Sequence, residues 1–216
     1  MTEAVIVVLT FASAAVAVLS RYFGRKPIVF YISKPLTTTL ILLPVLAVLL
    51  ESEGAYVALI AAGLAFALLG DTLLMLPKDR FVLGIASFAA THVLYTAAFI
   101  AAAGVALINP YVIPLIIFAV LMIRFLWPGV RKSLQIPILA YVVLITVMAA
   151  QAIGAALDSD SNGLALAAAG SLLFLASDSM LAANRFRVPF TAAPALVLST
   201  YWLGQWLIAL SARVGA

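Results

Sequence analysis

Two aspartates stand where a charge is costly. The segments FALLGDTLLM at 66–75 and LFLASDSMLA at 173–182 each place one, Asp71 or Asp178, inside a run of apolar residues. An ionisable group near the centre of a bilayer costs at least ~2.5 kcal/mol and is by default a functional residue when it faces the interior of a helix bundle. Two carboxylates sharing a low-dielectric site resist ionising together, so one protonated and one charged member is the expected state, an acid beside a base. The alternative is structural: each aspartate accepts hydrogen bonds from Thr72, Ser179 or a basic residue and locks helices together. Their occurrence as a pair favours the functional reading.

Other polar residues fall into the same apolar surroundings. Phe81, Gly84, Phe88, His92 and Tyr95 recur at spacings of three and four and so share one helix face. Such a stripe usually packs, yet His92 is the single histidine, and its side chain is expected to lean toward the aspartates; bonding to a backbone carbonyl is the competing role. Lys34 precedes Pro35, a residue suited to a helix's first turn, and is either a ligand for a lipid phosphate or an interface anchor with its stem in hydrocarbon. Tyr201 and Gln205 lie one turn apart and could pair helices or bind a ligand. Asn184 and Arg185, expected just beyond a helix end, could bind a headgroup or terminate the helix. Cysteine is absent and one histidine cannot build a polyhistidine site, so no protein-only zinc centre is expected.

What must position these residues is a membrane bundle. Of the 216 residues 66% are hydrophobic and 9% charged, against about 25% charged in soluble domains. A span needs roughly 20 apolar residues, and eight stretches qualify: 4–20, 36–50, 55–76, 82–103, 110–127, 134–156, 163–183 and 189–212. The first carries Glu3 and no leading basic residue, unlike a signal peptide, and is expected to be retained. The connections leave no room for a soluble domain, so residues 1–216 form one transmembrane domain. Eleven of the twelve basic residues, among them Arg25, Lys26, Lys78 and Arg185, fall on one side and Arg213 on the other. By the positive-inside rule both termini are then outside. The same distribution accounts for the basic balance without a nucleic-acid partner.

The chain also resembles itself. An offset of 107 brings residues 49–76 onto 156–183 with ten of 28 positions identical, including Ser52 with Ser159, Gly63 with Gly170 and Asp71 with Asp178; the acidic pairs Glu51 with Asp158 and Glu53 with Asp160 also align. Halves 1–107 and 108–216, each of four spans, would share one orientation about an axis along the membrane normal, with a site at their interface. Asp71 lies seven residues before Lys78 and Asp178 seven before Arg185, so both carboxylates should sit ~10 Å inward from a cytoplasmic basic residue.

KPLTT at 34–38, GDTLLM at 70–75, the Phe81 to Tyr95 stripe, SDSMLAANRF at 177–186, and Tyr201 with Gln205 together resemble the lysoplasmalogenase family of membrane proteins, called YhhN in bacteria. The resemblance covers nearly the whole chain. It implies hydrolysis of the vinyl ether of a lysoplasmalogen, releasing a fatty aldehyde and a glycerophosphoethanolamine or glycerophosphocholine, without metal or cofactor, in the bacterial cytoplasmic membrane. Asp71 and Asp178 would be catalytic, with Lys34, His92, Tyr95, Asn184, Arg185, Tyr201 and Gln205 around the lysophospholipid. Oligomeric state is not implied. A proton-coupled carrier, which also uses paired acids in duplicated halves, and a lipid-binding scaffold are the competing readings.

Overall fold

In hydrocarbon every backbone N–H and C=O has to be bonded within the protein, and a continuous helix does so span by span. The computed structural model describes residues 3–24, 27–51, 54–76, 80–107 and 110–214. Among them run eight long helices and no strand: α1 (Glu3–Tyr22), α2 (Pro27–Glu51), α3 (Ala55–Met75), α4 (Phe81–Ala103), α5 (Val112–Leu126, continued by a 3-10 turn at Trp127–Gly129), α6 (Lys132–Leu157), α7 (Asn162–Phe186) and α8 (Ala193–Val214). Each is long and apolar enough to cross a membrane; the chain is an integral multi-pass membrane protein. Lys78, the basic residue expected seven positions beyond Asp71, lies outside the described residues, as do Arg25, Lys26, Ser52 and Glu53.

Two expected boundaries are corrected. The second span begins at Pro27 instead of residue 36. Pro27 takes the first helical position that Pro suits, while Pro35 and Pro44 lie inside the helix. An interior proline forfeits the bond to the carbonyl four residues before it, those of Tyr31 and Leu40 here. Around Pro35 hydroxyls tie α2 to α1 and to itself: Ser13 and Thr37 both donate to the Ser33 carbonyl, at 3.1 and 2.8 Å, and Ser33 donates to that of Val29 at 2.7 Å. Lys34 is therefore buried two turns inside α2 and is not an interface anchor. The seventh span continues to Phe186, so Asn184 and Arg185 form its last turn and do not follow it. Its other end is capped by Ser161, whose hydroxyl accepts from the Leu164 amide at 3.2 Å.

Packing pairs α7 with α8 and α3 with α4 most extensively, then α1 with α2, and α2 with α3, α6 with α7 and α4 with α6 to similar extents, while α8 also closes against α2 and α1. Helix pairs in a membrane gain little from burial and depend on close backbone approach at small residues. At the α7–α8 crossing a Cβ on Gly170 would stand 2.6 Å from the Gly204 carbonyl oxygen, and one on Gly204 2.7 Å from that of Gly170. Neither carbonyl can move aside without shifting its helix. Gly170→Val is expected to cost about 1–3 kcal/mol through overpacking, measured as a lowered thermal unfolding midpoint in detergent; an unchanged midpoint would mean the crossing is not tight.

Candidate active site

Both aspartates line one polar cavity of about 200 Å³, bounded by α1, α2, α3, α4, α7 and α8. Lys34, Tyr201 and Asn184 line it too, together with Arg21 at the end of α1. The two carboxylates occupy different surroundings within it. Asp71, only 1% exposed, is held on three sides: Lys34 Nζ lies 3.1 Å from Oδ1, Thr38 donates to Oδ2 at 2.6 Å, and Tyr201 donates to the same oxygen at 2.8 Å. Lys34 Nζ also reaches the Asp71 backbone carbonyl at 3.3 Å, and Trp202 Nε1 donates to Thr38 Oγ1 at 3.2 Å. A buried amine and two hydroxyl donors thus converge on this one carboxyl group.

Asp178 is met by a phenol and an imidazole instead of an amine. Tyr141 donates to its Oδ2 in a short hydrogen bond, and His92 Nε2 lies 3.6 Å from Oδ2 and 3.0 Å from the Tyr141 hydroxyl. A tyrosine has one proton to give. With that proton directed at Asp178, the His92 contact requires the hydrogen on Nε2, donated to the Tyr141 oxygen. Nδ1 of this fully buried ring has no partner, and the imidazole is fixed edge-on against Phe174, centroids 4.9 Å apart. His92 thus bonds to Tyr141 and is linked to Asp178 through it, with Nε2 itself 3.6 Å from the carboxylate, and the backbone-carbonyl role considered for it is not the one adopted.

The remaining expected residues divide. Tyr95 and Gln205 are buried and joined to each other, hydroxyl to Oε1 at 2.6 Å. Neither lines the cavity; Gln205 Nε2 is without a partner. Asn184 accepts the Phe190 amide at 3.1 Å, bracing the turn into α8 while facing the cavity. Arg185 is exposed and lies 3.8 Å over the Phe81 ring, away from the aspartates' cavity. Among the described residues no group of acidic and histidine side chains is arranged to hold a metal.

Tyr141 was not singled out by sequence, although a signal existed. The offset that relates Asp71 to Asp178 (71 + 107 = 178) relates Lys34 to Tyr141 (34 + 107 = 141). Each aspartate is bonded by the helix that precedes its own, Asp71 by Lys34 and Asp178 by Tyr141, and each is approached from a second helix, Asp71 by Tyr201 of α8 at 2.8 Å and Asp178 by His92 of α4 at 3.6 Å. The two positions related by the offset thus give one carboxylate an amine and the other a phenol.

A second, apolar groove passes between α4, α5, α6 and α7 and shares Leu74, Phe88, Asp178 and Leu181 with the polar cavity. Asp178 therefore stands at a junction, with polar walls on one side and hydrocarbon on the other.

Comparison with known proteins agrees with the motifs. A bovine protein named lysoplasmalogenase TMEM86A is 34% identical over 161 residues, 71% of this chain and 64% of its own length, so the chain spans less than two thirds of that relative. The pig lysoplasmalogenase TMEM86B is 32% identical over 176 residues, 78% of this chain and 72% of its own. An uncharacterized membrane protein YhhN of Escherichia coli O157:H7 is 31% identical over 183 residues, covering 84% and 86%. No solved structure matches the chain. With the model of the YhhN family matching residues 29–212, on both sides of the polar cavity and through every helix that bonds an aspartate, this chain belongs to the YhhN family.

Proposed function

We propose that the protein is a membrane-embedded hydrolase that opens the vinyl ether of a lysoplasmalogen, with Asp178 as general acid and Asp71 as the fixed negative charge. The observation that carries this reading is the place of Asp178 on both the polar cavity and the apolar groove. A lysoplasmalogen has its vinyl ether where polar glycerophosphate meets hydrocarbon chain, so the bond to be broken and the junction between the two spaces correspond. Relatives named lysoplasmalogenase support the substrate class.

The chemistry follows from the two environments. Tyr141 occupies Oδ2 of Asp178, so the acidic proton is assigned to Oδ1. Its transfer to the β-carbon of the vinyl ether converts the C=C–O unit into an oxocarbenium ion and leaves Asp178 ionised. The Asp71 carboxylate, kept charged by Lys34, Thr38 and Tyr201, opposes the developing positive charge in a site of low dielectric. Water adds to the α-carbon and returns a proton to Asp178; the hemiacetal then passes its hydroxyl proton to the glycerol oxygen and separates into aldehyde and alcohol. One water is consumed and Asp178 ends protonated, as it began. The parallel is with glycosidases, whose paired carboxylates also handle an oxocarbenium-like transition state. Arg21 and Asn184, at the polar end of the cavity, supply a cation and an amide for the phosphate and headgroup, while Lys34 is committed to Asp71.

Tyr141 and His92 act as positioning residues, holding Asp178 by one oxygen. Tyr141→Phe is expected to lower kcat about 10- to 100-fold, the worth of a hydrogen bond to an ionisable partner, with KM little changed because the phenol does not bind the headgroup. An unchanged kcat would remove Tyr141 from the mechanism. The function itself is tested by incubating purified protein in detergent with a lysoplasmalogen and with its saturated ether counterpart. Aldehyde from the first and none from the second is expected; no aldehyde from either, with proton-coupled solute flux in liposomes, would mark a carrier.

A further inference from the structure

The apolar groove beside Asp178 is walled on its outer side by α5, a helix whose buried residues are Leu115 and Leu126 alone among those described. Phe118 and Met122 of α5 face Ile138 and Val142 of α6 and Leu175 and Ala182 of α7 across it. Its enclosed part is narrow, about 70 Å³, and with the open side the groove measures about 720 Å³. A chain bound here would lie along the wall with one side still against bilayer lipid.

We propose that this groove holds the hydrocarbon chain of the lysophospholipid and fixes the register of the vinyl ether on Asp178, an inference that rests on the hydrolase reading. Continuity selects this groove over the other large apolar one. The groove between α1 and α8, lined by Phe11, Val18, Trp202 and Trp206 among others, is larger, about 950 Å³ with its open side, but neither carboxylate lines it and it has no lining residue in common with the polar cavity. A chain lying there could not continue from a vinyl ether seated on Asp178 along any lined path. Chains already dissolved in lipid gain little by moving onto an apolar protein wall. The groove therefore contributes little affinity; it supplies alignment, and small misplacements of a reacting bond are costly in rate. Activity should accordingly depend on whether the chain is long enough to lie along the groove.

Ala119 on α5 and Ala182 on α7 both line the groove and touch neither aspartate's hydrogen-bond set. Ala119→Phe and Ala182→Phe are to be assayed with lysoplasmalogens whose alkenyl chains differ only in length, one of about sixteen carbons and one of about four, a difference that decides whether the chain extends along the groove. For the long chain kcat/KM is expected to fall about ten-fold or more, and for the short chain to stay within about two-fold. Equal falls on both, or none on either, would overturn the proposal. A lysophospholipid carrying a photoactivatable diazirine in mid-chain reads the placement without turnover: label on α5 and α6 supports it, and label concentrated on α1 and α8 or spread evenly over the lipid-facing helices refutes it. If wild type releases no aldehyde yet the label lies on α5 and α6, the hydrolase reading fails while the chain's position stands.

Discussion

Asp178→Asn is expected to release aldehyde at no more than about 10⁻² to 10⁻⁴ of the wild-type rate, the span a positioned general acid provides. The substitution keeps the size of the side chain and an oxygen that can accept the Tyr141 hydroxyl, so the junction between cavity and groove stays filled. What is lost is the proton. Carbon is a poor acceptor, and protonation of the vinyl ether's β-carbon needs an acid already pointed at it; an amide does not supply one. Binding should persist, because Arg21 and Asn184, which hold the polar end of the lipid, are untouched. The variant should therefore keep its affinity for the lysolipid, measured by titration in detergent, while turnover disappears. Full activity in a folded Asp178→Asn protein would move the acid elsewhere in the site.

Lys34→Met is expected to destabilise the protein by about 3–5 kcal/mol, the usual consequence of leaving one member of a buried ion pair alone. Asp71 is 1% exposed and Lys34 7% exposed, so no water shell replaces the missing ammonium. Asp71 then either carries a charge that no cation balances or takes up a proton, and in the second case the fixed negative charge the mechanism needs is lost. The double variant Lys34→Met with Asp71→Leu separates stability from function. Replacing a whole buried pair by apolar residues is often neutral or stabilising, so the double variant should recover the thermal midpoint lost by the single one. It should remain without activity. Recovery of activity in the double variant would show that the Lys34–Asp71 pair serves the fold alone.

Much of this arrangement was legible in the chain because membrane proteins are strongly constrained. Eight apolar runs could hardly become anything but eight spans, and the cost of intramembrane charge drew attention to Asp71 and Asp178 at once. Errors arose where local chemistry is ambiguous. Pro35 signals a helix start as readily as an interior position, and Pro27, eight residues earlier, takes the start instead, which carries Lys34 from the expected interface to burial against Asp71. Tyr95 and Gln205 share the faces of His92 and Tyr201, yet bond to each other away from the cavity. Periodicity assigns a face and not a partner. Tyr141, buried in an apolar run of α6 with no motif around it, becomes visible through the 107-residue offset from Lys34, a relation between positions and not between residue types.

The central claim is proton transfer to carbon at a buried carboxyl, and deuterium incorporation reads that step directly. Purified protein in D₂O, given a lysoplasmalogen and stopped early, should yield an aldehyde carrying one deuterium on the carbon next to its carbonyl, and Asp178→Asn should yield none above the uncatalysed background. Aldehyde without that deuterium, or labelled aldehyde produced equally by Asp178→Asn, would contradict the account.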